Sequence, residues 1–289
     1  MIDTERITLA HKPLIDGIRA ACGHPSESHS FASLFLWQKD MGLTIRLEQD
    51  AFLVRCASRP GNCWYFPCGA QARTAGWIEE LLREDDPLRL IYLRLEDADF
   101  LEARFPGVFE ITPADSDSEY LYDRQAYTRM EGEEYRRIRR GVKKLCAEHN
   151  VTSRPWTDEN TADMETVLRR WHARVPGEDG LVDWGTSQLL LAHGWELDVQ
   201  GVIVYLDGEP FAMSAGFPLS GASFDIAFSK SAVRVTGLQD YARQALARQL
   251  PECYTVLNGE DDLGIPGIRK VKQLMRPIGQ IRMCEARKR

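Results

Sequence analysis

The sequence predicts a mixed α/β fold, of the α/β or α+β kind, arranged as two domains. Three observations predict it. The chain has 289 residues, about twice the roughly 150 of one typical domain. In both halves, β-rich runs alternate with stretches whose apolar residues recur at helical spacing. Turn signals such as Asp207-Gly208 join neighbouring strand runs, which calls for antiparallel pairs inside mixed sheets.

The elements follow in order. Runs 43–47 and 51–56 are β-rich and flank the polar turn Glu48-Gln49-Asp50, so they read as a hairpin. Trp64-Tyr65-Phe66 is a further strand run, ended by Pro67. Residues 75–83 read as a helix, with Trp77, Ile78, Leu81 and Leu82 at helical spacing. Run 88–95 alternates like a strand, and 97–104 reads as a short helix stopped near Pro106-Gly107. Runs 109–112 and 119–122 suit strands, or an edge pair around the turn-rich segment 113–118. The linker between domains is expected between Pro113 and Met130. Beyond it, 133–149 and 162–175 read as helices, the second with Met164, Val167, Leu168 and Trp171 on one face. Three strand runs, 199–206, 210–218 and 223–229, are joined by Asp207-Gly208 and Ser220-Gly221. An amphipathic helix over 238–249 turns Leu238, Tyr241, Ala242, Ala245 and Leu246 inward. A short strand at 255–257, a helix at 267–275 and a last strand at 280–284 complete the chain.

Composition narrows the function. Hydrophobic residues make up 44% and charged residues 27%, ordinary for a globular protein and unlike a disordered or fibrous one. The longest apolar runs, such as 31–37, fall far short of the ~18–20 residues that cross a bilayer. No basic start leads into an apolar segment, so the expected location is cytoplasmic. Net charge is -7. Residues 1–125 carry 13 basic and 21 acidic side chains, and 126–289 carry 23 and 22, so the acidic excess sits in the first half. That balance disfavours nonspecific nucleic-acid binding by the whole surface, but not by a local basic stripe. The seven cysteines are scattered and odd in number. They read as free thiols in a reducing compartment. The spacing of Cys56, Cys63 and Cys68, with His24 and His29 upstream, is not that of a zinc site, and no metal is expected.

Two stretches are distinctive: Phe31-Ala32-Ser33-Leu34-Phe35-Leu36-Trp37, and the run from Glu260-Asp261-Asp262-Leu263-Gly264 through Ile265-Pro266-Gly267-Ile268 to Arg269-Lys270-Val271-Lys272. With Tyr135 and the basic helix after it, they resemble the DUF2156 family over nearly the whole chain and in the right order. That family comprises the C-terminal domain of phosphatidylglycerol lysyltransferases and its stand-alone relatives. The resemblance implies two tandem GNAT-like (acyl-CoA N-acyltransferase) domains, 1–125 and 126–289, with mixed, mostly antiparallel sheets. Membrane-bound members move an aminoacyl group from aminoacyl-tRNA to a lipid headgroup. The membrane-spanning half of those enzymes is not in this sequence.

Three clusters carry candidate chemistry. Arg136, Arg137, Arg139, Arg140, Lys143 and Lys144 put six cations in nine residues. On a helix, such a stripe could grip phosphates of CoA, tRNA or a lipid headgroup, or form a solvated face paired with the acidic half. Glu260, Asp261 and Asp262 follow a strand end, where a carboxylate could act as general base for an attacking amine or bind an ammonium. Alternatively they form an acidic turn that caps the next helix or pairs with Arg269 or Lys272. Arg234-Val235-Thr236-Gly237-Leu238-Gln239 lies between a strand and a helix. It is similar to the GNAT loop whose backbone N–H groups hold the CoA pyrophosphate, although Gln239 replaces the usual small residue. The bland alternative is a loop glycine entering an amphipathic helix. Donor binding is accordingly expected of Lys230, Arg234, Gly237, Leu238, Gln239, Arg269 and Lys272, with no tightly bound cofactor. The leading expectation is an acyl- or aminoacyl-transferase, fed by acyl-CoA or aminoacyl-tRNA, with a small-molecule or lipid-headgroup acceptor. A non-catalytic ligand-binding or regulatory module is the alternative, and tRNA binding by the basic helix a third.

Overall fold

The computed structural model describes residues 2–84, 87–174 and 183–289. They form two compact units, each interrupted in sequence. The first comprises residues 1–119, 261–266 and 280–289, and the second 120–260 and 267–279. The chain first passes between them inside the expected linker. A partition at 125/126 differs from these units chiefly because two C-terminal pieces fold with the first.

The first unit holds α1 (Lys12–Ala21), α2 (Phe31–Trp37), β1 (Leu43–Glu48), β2 (Ala51–Cys56), β3 (Asn62–Tyr65), β4 (Cys68–Gly69), α3 (Gln71–Leu82), β5 (Leu88–Arg94), α4 (Leu95–Arg104) and β6 (Phe109–Pro113). The β1–β2 hairpin pairs Glu48 with Ala51, leaving the two-residue turn Gln49-Asp50. β3 and β5 run parallel, and α3 supplies the crossover such a pair requires. Sheet order is β1-β2-β3-β5-β14-β6, where β14 is the C-terminal strand Met283–Lys288, with β4 on β2. Trp64, Trp77, Ile78, Leu81, Leu90, Leu93 and Leu101 fill its core.

The second unit's elements are β7 (Glu119–Asp123), α5 (Arg124–Arg129), α6 (Arg136–Glu148), β8 (Val151–Pro155), α7 (Thr161–Arg174), α8 (Trp184–His193), β9 (Gln200–Leu206), β10 (Glu209–Pro218), β11 (Ser223–Ser231), α9 (Leu238–Gln249), β12 (Val256–Asn258), α10 (Pro266–Leu274) and β13 (Gly279–Ile281). β14 (Met283–Lys288) ends the chain. The second sheet runs β13-β7-β12-β11-β10-β9-β8. β11 and β12 run parallel, bridged by α9. Leu206 pairs with Glu209 around Asp207-Gly208, as that dipeptide predicts. Residue 175, expected to end α7, lies outside the described residues.

Two expectations are corrected. β6 and β7 do not pair: β6 lies against β14 and β7 against β12, in different sheets. The reach of the turn-rich segment between them is set by long-range partners, which local pattern does not encode. The expected last strand at 280–284 is two strands broken at Arg282, and the second, β14, inserts between β5 and β6. Ala286 and Cys284 pack there into the first core.

Candidate functional site

The second sheet carries a notch. β11 and β12 pair only over Ser223–Asp225 and Val256–Asn258. β11 then runs on to Ser231 while the chain leaves β12 at Gly259. Asp225 and Asn258 face each other where the strands part, and both are fully buried. On the other side of β11 the β10 register shifts between Ala215 and Phe217. A Cβ on Gly216 would lie 1.7 Å from the Asp225 carbonyl oxygen, so only glycine fits this bulge.

The acidic run divides its work. Glu260 stands beside the notch, and its carboxylate comes within 4.8 Å of that of Asp225. Its backbone is left-handed (φ 58°), costly for a side-chain-bearing residue by about 1–3 kcal/mol. Neighbours hold it there: Glu260 N–H donates to Asn258 Oδ1 (2.8 Å), Tyr120 N–H donates to the Glu260 carbonyl (3.0 Å), and Lys272 Nζ donates to the Gly259 carbonyl. Asp261 and Asp262 build the following turn instead. Asp261 Oδ1 accepts from Leu263 N–H (3.1 Å) and Asp262 Oδ1 from Gly264 N–H (2.9 Å). Of the three carboxylates expected as catalytic, Glu260 is brought beside Asp225.

The basic helix forms a groove. α6 buries Ile138 and Leu145, with Val142 half-buried in the same stripe, and turns its cations outward. Arg136, Arg137, Arg140 and Lys144 line one groove of about 540 Å³, together with Thr236, Leu274 and Arg276. Arg136 pairs with Glu133 at 2.6 Å and Lys144 lies 3.7 Å from Glu148. Lys143 is exposed outside this lining. Arg139 points back to cap the carbonyls of Met130 and Gly132, so it serves the helix start. Arg276, more than a hundred residues downstream, joins the groove through the fold; no local signal predicts it.

The glycine loop rests on this helix. Gly237 precedes α9 in a left-handed conformation (φ 86°), and a Cβ there would lie 2.4 Å from the Gly141 carbonyl group. The glycine is thus required by backbone contact with α6. Leu238 is fully buried in an apolar cluster, Gln239 is half-buried and Arg234 exposed. Lys230 is engaged elsewhere, paired with Asp183 and 4.1 Å above the Trp171 ring. Lys272 pins the Gly259 turn and Arg269 is exposed on α10. Around the groove and notch, burial pushes the hydroxyls of Tyr122, Tyr127 and Tyr135 above the usual phenol range, so they remain protonated donors. Tyr122 donates to the Lys272 carbonyl (3.0 Å), tying α10 to β7, and Tyr135 donates to the Met275 carbonyl (3.3 Å), tying the start of α6 to the end of α10. Among the described residues, no helix is long and apolar enough to cross a membrane.

Comparisons with known proteins agree with this architecture. The family model described as phosphatidylglycerol lysyltransferase, C-terminal, matches residues 19–282. No functionally curated protein matches the chain. A conserved Bacteroides thetaiotaomicron protein of unknown function superimposes with a TM-score of 0.90 at 20% identity, covering 100% of both chains. The C-terminal DUF2156 domain assigned to a lysylphosphatidylglycerol synthetase of Agrobacterium fabrum gives 0.68 at 11% identity, over 98% of this chain and 92% of that one. A tandem GNAT protein from the clavulanic acid biosynthesis pathway gives 0.51 at 9% identity, over 99% and 98%. The fold is therefore a tandem GNAT-like one, shared with acyl- and aminoacyl-transferases.

Proposed function

Since the chain belongs to the phosphatidylglycerol lysyltransferase C-terminal family, we propose that it transfers an aminoacyl or acyl group to an amine or hydroxyl acceptor. The observation that carries this reading is the parted β11–β12 pair, with Glu260 and Asp225 at the point of divergence. An activated carbonyl docked along β11 beyond its pairing with β12 would find strand N–H groups to polarise it. Glu260 then takes the proton of the attacking amine or hydroxyl as it adds to the carbonyl carbon. Collapse of the tetrahedral adduct expels the donor's alcohol or thiol, which regains a proton.

The donor best supported is an aminoacyl-tRNA. Four cations of α6 and Arg276 outnumber Glu133 and Glu134 in the lining of one open groove, a positive balance suited to phosphates. Gly237, by contrast, is occupied by α6 backbone, and Lys230 by Asp183, which leaves less of the loop for a CoA pyrophosphate. The acceptor is a small amine or a lipid headgroup, and use of charged tRNA puts the reaction in the cytoplasm. Incubation with charged tRNAs, or with acyl-CoAs, plus amine acceptors and phosphatidylglycerol tests the reading. Release of uncharged tRNA with an acylated acceptor is expected. Transfer from acyl-CoA alone would reassign the donor. Binding of tRNA without transfer under any acceptor would make the protein a binding module.

A further inference from the structure

The first unit contains two close cysteine pairs that transfer chemistry does not use. Cys56 and Cys63 lie opposite each other on β2 and β3, one step along from the paired Arg55 and Trp64, and each is 1% exposed. Cys22 and Cys68 differ. Cys22 caps the C-terminus of α1 and is exposed, whereas Cys68 on β4 is buried. Their sulfur atoms are 3.4 Å apart.

We propose that Cys22 and Cys68 form a dithiol–disulfide redox site that closes on reaction with a small soluble disulfide. The Cys22 thiolate attacks one sulfur of that disulfide and expels its other half as a thiolate. The Cys68 thiolate then attacks Sγ of Cys22 and expels the second half. One protein disulfide is formed, one small disulfide is reduced to two thiols, and the two protons of Cys22 and Cys68 are released to solvent or to the expelled thiolates.

Geometry and accessibility both suit this order. A bond of ~2.05 Å requires the sulfurs to approach by little more than an ångström. Only Cys22 is open to an incoming reagent, so it attacks first and Cys68 resolves. Cys22 is brought down to about 6, chiefly by the hydrogen bond from the Cys68 thiol, with Arg94 adding to it against the cost of burial. Arg94 is held in place by Asp97 and Glu96. The buried Cys56–Cys63 pair has no comparable access and stays reduced.

Closing the bridge fixes more than two side chains. Cys22 leads into a segment held by Arg19, whose guanidinium donates to the carbonyls of His24 (3.3 Å) and Ser26 (2.8 Å). Ser26 Oγ and Glu27 N–H both donate to the Glu119 carboxylate. The disulfide would tie the start of this segment to β4, and so to β2.

The test uses the full chain and oxidised glutathione, followed by alkylation of remaining thiols and peptide mass spectrometry. Two of the seven thiols are expected to disappear as a Cys22–Cys68 cross-linked peptide, reversible by dithiothreitol, with a raised melting temperature. Cys68→Ser is expected to stop at a glutathione adduct on Cys22. Cys22→Ser is expected to leave Cys68 unmodified. Retention of free Cys22 and Cys68 while the exposed Cys146 and Cys253 acquire adducts would overturn the proposal. So would a bridge joining Cys22 to any other cysteine.

Discussion

Glu260 and Asp261 are neighbours in sequence with different work, because a left-handed residue at 260 sends consecutive side chains to different surroundings. Glu260→Gln is expected to lower turnover by about 10²–10⁴-fold with little change in donor affinity. Asp261→Asn keeps the oxygen that accepts from Leu263 and is expected to stay within a few-fold of wild type. Steady-state kinetics on both variants separates a base from a turn former. The glycines at the loop make a second contrast. Gly237→Ala drives a methyl into the Gly141 backbone from a strained φ, and is expected to cost roughly 2–4 kcal/mol in urea unfolding. Gly141→Ala meets only ordinary contacts near 3.4 Å inside a helix, and is expected to be neutral or to stabilise by up to ~1 kcal/mol. His29 sets a pH limit. It is buried between Ser28 Oγ and the Phe66 carbonyl, and burial lowers it to about 3 from an ordinary 6.5. The unfolded chain therefore binds the extra proton first as pH falls. Stability is complete above about pH 6.5 and declines as pH falls towards 3, by about 2 kcal/mol at pH 5 from His29 alone. Urea midpoints at pH 7.5 and 5 check this, and His29→Gln should flatten the dependence.

At the scale of elements, α6 was the most readable part of the sequence and only half interpretable. Six cations in nine residues announce a basic face, and the stripe of Ile138, Val142 and Leu145 says which side packs. The bounds differ slightly: the helix runs Arg136–Glu148, and Arg139 reaches back to the Met130 and Gly132 carbonyls that precede it. Which cations share a groove was not legible. Lys143 and Arg139 look equivalent to the rest in sequence, yet one lies outside the lining and the other turns back on the chain. Arg137→Ala, Arg140→Ala and Arg276→Ala are each expected to weaken tRNA binding and to reduce its log–log salt slope by about 1. Lys143→Ala should change both much less. Fluorescence anisotropy over a salt series distinguishes them.

For the whole molecule, the C-terminal strand is the telling piece. β14 pairs with β5 on one side and β6 on the other, and Arg89 reaches across to Glu285. A chain truncated after Ile281 would leave two unpaired strand edges and open the core at Ala286. It is expected to be insoluble or to lose the first unit's cooperative transition, as calorimetry or circular dichroism would show. The second unit's motifs stay in sequence order, which is why its three-stranded meander and its crossover helix could be placed to within a residue or two.

Local periodicity and turn chemistry, by themselves, determined most elements, the hairpins and the basic face, because those depend on neighbours a few residues apart. The signature run from Glu260 to Lys272 and the aromatic run 31–37 also pointed to the family. Tertiary structure alone decided that β6 and β7 belong to different sheets, that Arg276 completes the groove, and that Glu260 meets Asp225. Each of these depends on which distant backbone supplies a hydrogen-bonding edge, and a single sequence does not write such pairings into any local pattern.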